Sequence, residues 1–115
     1  MNVATAAIVA FGVSHVLIQD AQFPTVPDYD VDKYCTLVAS SIGPRSEMIY
    51  GGCFDQEQLS YDSLKRIWSN VPVQTRRYCD NVAQFGGGGS YMILRGCIDM
   101  EENAATQNQR RQFRR

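Results

Sequence analysis

Histidine is almost absent from this sequence, and neither sign of charge predominates. The single histidine, His15, lies within the apolar N-terminal stretch, so a nucleophilic serine or cysteine would have no evident base. Lysine and arginine number 11 against 12 aspartates and glutamates. That balance argues against nucleic acid as a partner, because affinity for phosphate depends on summed positive charge. C-x-x-C, G-x-G-x-x-G and P-loop motifs are also absent, so the sequence predicts no zinc knuckle, dithiol redox site or phosphate cradle.

The carboxylates do not form catalytic pairs either. Asp55 and Glu57, and likewise Asp99 and Glu101, are two positions apart, which places them on different faces of a helix. We expect one member of each pair to be solvated and the other to support a neighbouring helix or its cap. The sequence therefore predicts a non-catalytic protein with no catalytic residue, no bound metal and no cofactor.

Long apolar runs are confined to the N-terminus. Residues 3–18 carry no charge, and as a helix these 16 residues would be about 24 Å long, slightly short for a membrane span. No lysine or arginine precedes them, as a secretory signal would normally require. We interpret residues 1–20 as a signal peptide or a single membrane anchor, with a buried core helix as the third reading. The apolar side chains of this segment include Val3, Ile8, Phe11, Val16, Leu17 and Ile18.

The next segment, residues 21–32, combines two prolines with three aspartates. Proline disfavours helix at the residue before it, so we predict an acidic, extended linker. No positive charge lies close to the apolar segment on this side, which favours translocation of the C-terminal part across a membrane.

The body of the chain is a duplicated unit. Residues 34–66 and 78–110 align without a gap, and 13 of the 33 positions are identical. Such self-similarity at a fixed offset is the signature of a structural repeat. The run GGGGS at 86–90 resembles an engineered linker, but it aligns with IGPRS of the first copy and therefore predicts a native turn.

Each copy is predicted to form two helices joined by a turn. Ser46 and Ser90 lie where the second helix of each copy would begin, and serine is a favoured N-cap. Asp30 or Asp32 would cap the first helix, and Pro72 suits the first turn of the third. No stretch alternates between apolar and polar residues with period two, so we predict no strand.

The duplication predicts an all-α fold. Residues 33–110 would form one domain of two helix-turn-helix hairpins, 33–70 and 73–110, in a four-helix arrangement with pseudo-two-fold symmetry. We expect the apolar residues common to both copies to face a shared core. They are Tyr34/Tyr78, Val38/Val82, Met48/Met92 and Ile49/Ile93.

The four cysteines lie at matching positions of the two copies. In an antiparallel hairpin, Cys35 and Cys53 would lie at the same height, and so would Cys79 and Cys97, close enough to be bridged. We predict disulfides Cys35–Cys53 and Cys79–Cys97, although four cysteines allow three pairings. Structural disulfides persist only in an oxidising compartment, in agreement with an exported chain.

The chain ends in a basic tail, residues 111–115. Together with the last residue of the repeat, it supplies candidate contacts with anionic lipid, nucleic acid or an acidic partner, or with the acidic linker. A solvated helix end is the plainer interpretation. The residues concerned are Arg110, Arg111, Phe113, Arg114 and Arg115.

Three sequence blocks carry a resemblance. YC-x-x-VA, GS-Y-x-x-L-x-G-C and C-x-D-Q-E-Q-x-x-YD-x-L-K-x-x-W resemble small exported proteins of alphaproteobacteria that contain a duplicated C-x17-C helical hairpin. The resemblance covers about residues 31–110 and implies a compartment, but no mechanism. A shorter pattern, Cys53 followed by Tyr61-Asp62-x-Leu64, is similar to periplasmic lysozyme inhibitors with a cysteine-containing helical repeat.

These observations predict a non-catalytic, disulfide-stabilised periplasmic module, soluble or anchored in the inner membrane, that binds or supports another protein. One alternative is a single-span accessory subunit of a bacterial membrane complex, with residues 3–18 in the membrane and the hairpins in the periplasm. Another is an inhibitor of a cell-wall-degrading enzyme. The expected partner is a protein in each case, and no nucleic acid is expected.

Overall fold

Four helices make up the part of the chain that the structure, a computed structural model, describes, residues 23–85 and 87–115. They are α1 (Val31–Ala39), α2 (Glu47–Ile67), α3 (Val73–Gln84) and α4 (Tyr91–Arg110), with a 3₁₀ turn at Trp68–Asn70 after α2. No strand occurs within these residues, which confirms the predicted all-α class. None of the helices in these ranges is long and apolar enough to cross a membrane. The interpretation of residues 1–20 falls outside the described residues.

The helices form two hairpins, each closed by one disulfide. α1 packs on α2, and α3 packs on α4. Cys35 is bonded to Cys53 and Cys79 to Cys97, with Cα–Cα distances of 5.6 and 5.5 Å, so the predicted pairing is confirmed. Both distances lie within the range that a disulfide needs, because each pair lies at one height in its hairpin.

Side-chain caps define where the helices begin. The hydroxyls of Ser46 and Ser90 accept hydrogen bonds from the backbone N–H three residues further on, as predicted. Asp30 caps α1 in the same way, so α1 begins at Val31 and Asp32 lies inside its first turn. Each cap satisfies a backbone donor that the helix itself leaves without a partner.

The hairpins contact each other through α2 and α4, which run in the same direction. Glu57 accepts a hydrogen bond from the N–H of Tyr91, and further along both helices Ser63 accepts one from Arg95. The counterpart of Tyr91 in the first copy is Glu47, ten residues before Glu57. In a side-by-side arrangement, equivalent residues of α2 and α4 would lie opposite each other. Relative to that arrangement the second hairpin is displaced along α2 by about 15 Å, at 1.5 Å per residue.

This displacement decides where the core lies. The C-terminal half of α2 packs on the N-terminal half of α4, and the last ten residues of α4 are exposed. The contact between the hairpins is thus made by non-equivalent parts of the two copies. The main core cluster consists of Tyr29, Leu64, Trp68, Val71, Cys79, Ala83, Tyr91, Leu94 and Ile98.

The segment predicted as an acidic linker, residues 21–32, is part of the packed domain from Phe23 onward. Residues 23–25 form a bend, residues 26–30 have no regular secondary structure, and α1 already begins at Val31. The carbonyl of Phe23 accepts a hydrogen bond from Arg76 at 2.7 Å, and the N–H of Tyr29 donates to the hydroxyl of Tyr91 at 2.8 Å. A segment without regular structure that lies against a protein surface needs such partners for its backbone, and here the second hairpin provides them.

The glycine run forms a native turn, as predicted. Gly87, Gly88 and Gly89 all have positive φ, at 96°, 91° and 82°. A Cβ at Gly89 would lie 2.5 Å from the ring of Tyr29, so this position combines a left-handed backbone with a close approach. Gly86, the first residue of the run, lies outside the described residues.

Candidate protein-binding surface

The apolar residues that the two copies share lie mostly at the surface, so their expected place in a shared core is wrong. Tyr78 is 55% exposed and Met48 84% exposed, and Val82, Met92 and Ile93 are exposed to lesser degrees. In the first hairpin Tyr34, Val38 and Ile49 are half-buried.

The geometry of a helix explains this correction. α3 buries Cys79, Asp80 and Ala83, which occupy one narrow side of the helix. Tyr78 and Val82 each precede a buried residue by one position, and one position is a rotation of about 100°. The apolar stripe formed by Tyr78, Cys79, Val82 and Ala83 is wider than the contact between the two helices of a hairpin. Cys79 and Ala83 are therefore buried, while Tyr78 and Val82 are left exposed to solvent.

The exposed residues of the second hairpin form one continuous apolar face. Tyr78 and Val82 of α3 and Ile93 of α4 line two adjoining grooves. Phe85, 90% exposed, extends one groove, and Met100, 73% exposed, extends the other. We refer to these five residues as the outer face. Exposed contiguous apolar surface of this kind marks interaction sites in soluble proteins.

The first hairpin uses the equivalent positions to face the second hairpin. Tyr34 and Val38, the counterparts of Tyr78 and Val82, line a groove together with Ala83 of α3. Close by, the turn of the second hairpin approaches the first turn of α1, where a Cβ on Gly88 would lie 3.8 Å from the backbone of Tyr34. If the stacking of repeats continued, a third hairpin would pack chiefly on the exposed C-terminal half of α4 and would also face Tyr78 and Val82.

No family model, curated protein or solved structure matches the chain. The resemblance to exported alphaproteobacterial proteins therefore stays a prediction. Function has to be inferred from the geometry of the described residues themselves.

The paired carboxylates have separate roles. Glu57 is fully buried and accepts hydrogen bonds from the first two N–H groups of α4, while Asp55 is solvated. The predicted division between a solvated and a capping member is thus confirmed in the first copy. In the second copy Asp99 is paired with Arg95 at 3.1 Å and Glu101 is exposed, because the end of α4 has no neighbouring helix start to cap. Within the described ranges, no three histidine, cysteine or acidic residues are grouped so as to hold a metal ion.

The basic tail projects from the end of α4. Residues 111–115 are extended and exposed, and the guanidinium of Arg115 lies 5.3 Å from the ring centroid of Phe113. The ion pairs found among the described residues do not join this tail to the acidic segment before α1. The structure thus leaves the four arginines of 110–115 available to another molecule.

Proposed function

We propose that this chain is a non-catalytic module that binds another protein through its outer face. The observation that supports the proposal is the equivalence between the two hairpins. The positions that turn toward a neighbouring hairpin in the first copy, Tyr34 and Val38, are identical in the second copy, where no described residue covers Tyr78 and Val82. Apolar side chains that are exposed in this way suit a docked partner.

The outer face favours a partner that presents an amphipathic helix. The groove between α3 and α4 is bordered by Asn81 and Glu101 and lined by aromatic, β-branched and methionine side chains. Helix-in-groove recognition uses such surfaces, with apolar anchors spaced three or four positions apart on the bound helix. A bound helix would cover Tyr78 and Val82, which the next hairpin of a repeat array would also face.

The disulfides indicate a non-cytoplasmic, oxidising compartment, because all four cysteines are bonded. We extend this to the periplasm, with the hairpins either soluble or held at the inner membrane by residues 3–18. The intact mass of natively purified protein, measured before and after reduction, tests both points. Reduction should add the mass of about four hydrogens, and the presence or absence of residues 1–20 decides between an anchor and a cleaved signal. An unchanged mass on reduction would contradict the compartment.

Site-specific photocross-linking in the native compartment tests the binding surface. A benzophenone side chain is placed at Phe85 in the outer face, and a matched control is placed at Leu59, which is exposed on α2 outside it. We expect a discrete cross-linked protein from Phe85 and none from Leu59. Adding Ile93→Asp, which puts a charge into the groove, should remove the product. Equal products from both positions, or persistence with Ile93→Asp, would refute the proposal.

A further inference from the structure

A second site lies where the segment before α1 meets α2 and α4. It is a pocket of about 260 Å³. Its floor and walls are aromatic, and its rim is acidic. The residues that decide its chemistry are Tyr29, Phe54, Tyr61, Tyr91, Asp28 and Glu57. We refer to it as the tyrosine pocket.

The rings of the tyrosine pocket are held in place by the protein. The ring centroid of Tyr91 lies 4.7 Å from that of Tyr29 and 4.8 Å from that of Tyr61. The hydroxyl of Tyr29 donates to Asp80 at 2.6 Å, and the hydroxyl of Tyr91 donates to the carbonyl of Pro27 at 2.7 Å. Both hydroxyl protons are therefore already used. Because Tyr29 and Tyr91 are themselves buried, a ligand would meet chiefly the accessible parts of the other lining residues, Phe54, Tyr61, Gln58 and Asp28.

The described residues that line the pocket carry only negative charge, and the nearest cation to one of its rings is the ammonium of Lys65, 4.8 Å from the ring centroid of Tyr61. Among the described residues that line it, none is cationic, and Asp28 at its rim has neither an ion pair nor a hydrogen bond. Burial raises the pKa of Tyr91, the hydrogen bond from the backbone of Tyr29 lowers it, and the nearby carboxylates of Asp28 and Glu57 raise it. Glu57 is fully buried, so it contributes its charge without touching a ligand.

We propose that the tyrosine pocket binds an organic cation, namely a guanidinium or alkylammonium group. Aromatic faces attract such cations through the negative potential above the ring, and a carboxylate at the rim adds a direct ionic contact. An anion would meet the negative charges of the Asp28 and Glu57 carboxylates there. The volume lies just below the usual range for small-molecule sites, so it suits one cationic head group and not a large cofactor.

Two sources could supply this cation, a free small molecule or the arginine tail of a second copy of the chain. The tail of the same chain is too short. Arg110 is 19 residues after Tyr91, which places it about 28 Å away along α4. Residues 111–115 span at most about 18 Å when fully extended. The tail thus cannot return to its own pocket while α4 keeps its length.

Titration of the full chain with methylguanidinium and with tetramethylammonium, at constant ionic strength, tests the pocket. Neutral methylurea serves as the control ligand, and proton resonances of Tyr29, Tyr61 and Tyr91 are followed by NMR. We expect saturable shifts with both cations and none with methylurea. Asp28→Asn should weaken binding about threefold, as loss of one exposed ionic contact implies.

Two further variants make the result specific. Phe54→Ala removes an aromatic wall of the pocket and should weaken the binding of both cations. Glu102→Gln removes an exposed charge on α4 outside the pocket and should leave the binding of both cations unchanged. Absence of saturation with either cation, equal shifts with methylurea, or equal effects of Asp28→Asn and Glu102→Gln would overturn the proposal.

Sedimentation distinguishes the two sources once the cations are found to bind. If the tail of a second copy is the ligand, the full chain forms a concentration-dependent dimer, and a chain ending at Arg110 stays monomeric and binds methylguanidinium more tightly. If the source is a free cation, both chains are monomeric and bind the probe equally. Because this site lies apart from the outer face, its failure would leave the cross-linking result unaffected.

Discussion

Replacement of Glu57 by alanine should destabilise the fold far more than the same change at its counterpart in the second copy. The carboxylate of Glu57 accepts hydrogen bonds from the N–H groups of Tyr91 and Met92 at 3.2 and 2.8 Å, and no part of the residue is exposed. These two bonds attach the start of α4 to the middle of α2. Glu101 occupies the equivalent position and is exposed, so the duplication itself supplies the matched control.

The magnitude follows from what the carboxylate supplies. A hydrogen bond to a charged acceptor contributes about 1.5–3 kcal/mol. A negative charge at a helix N-terminus adds about 0.3–1 kcal/mol. Because water reaches the freed N–H groups in part, we expect Glu57→Ala to lower the free energy of unfolding by about 3–5 kcal/mol. Glu101→Ala should change it by less than about 0.5 kcal/mol.

Urea denaturation followed by circular dichroism, with both disulfides intact, measures these changes. Domains of this size have only about 5–15 kcal/mol of stability, so Glu57→Ala could unfold the protein entirely. Glu57→Gln retains one acceptor oxygen and should fall between wild type and the alanine variant. Equal effects of the alanine substitutions at Glu57 and Glu101 would refute the role given to the buried carboxylate.

Three further predictions concern stability. Replacing Cys79 and Cys97 together by alanine should cost about 3 kcal/mol in urea denaturation, from the lost constraint on the unfolded chain, and an unchanged midpoint would contradict this. Gly89→Ala should lower Tm, because φ there is +82° and the ring of Tyr29 leaves no space, whereas Gly51→Ala within α2, with open space, should raise it; calorimetry compares them. Burial, followed by the hydrogen bond to the carboxylate of Asp80, raises the pKa of Tyr29 above its usual value of 10.0. The stability that the protonated hydroxyl contributes to the fold is therefore complete below pH 10 and is lost at higher pH. Tyr29→Phe should flatten the alkaline loss of stability seen in denaturation midpoints, and an identical pH profile would refute that assignment.

Much of the local structure could be predicted because the repeat presents each signal twice. Ser46 and Ser90 occupy the same position in both copies, and both cap a helix. The cysteine spacing defines the height of each bridge in an antiparallel hairpin, so pairing within a hairpin follows from geometry. These features depend only on residues close in sequence.

The packing between the hairpins could not be predicted in this way. Residues that are identical in the two copies do not reveal that the second hairpin is displaced by ten residues along α2. Glu57 has an identical counterpart in Glu101, but other residues of this contact differ between the copies. Tyr91 replaces Glu47, and Leu64 has the counterpart Asn108. Such differences between the copies were an available signal for this part of the core, and they also occur at three of the four aromatic residues of the tyrosine pocket, Phe54, Tyr61 and Tyr91. Identity between the copies did not separate core from surface, because Cys79 and Ala83 are buried whereas Tyr78 is exposed.

Because each disulfide joins consecutive cysteines, the order in which the thiols appear has a consequence for how the protein matures. In a chain that enters an oxidising space N-terminus first, Cys35 and Cys53 are both present before Cys79 arrives. An oxidant that joins thiols as they appear therefore produces the native bonds directly. No step of bond rearrangement is needed, and the first hairpin can be covalently complete while the second is still being delivered.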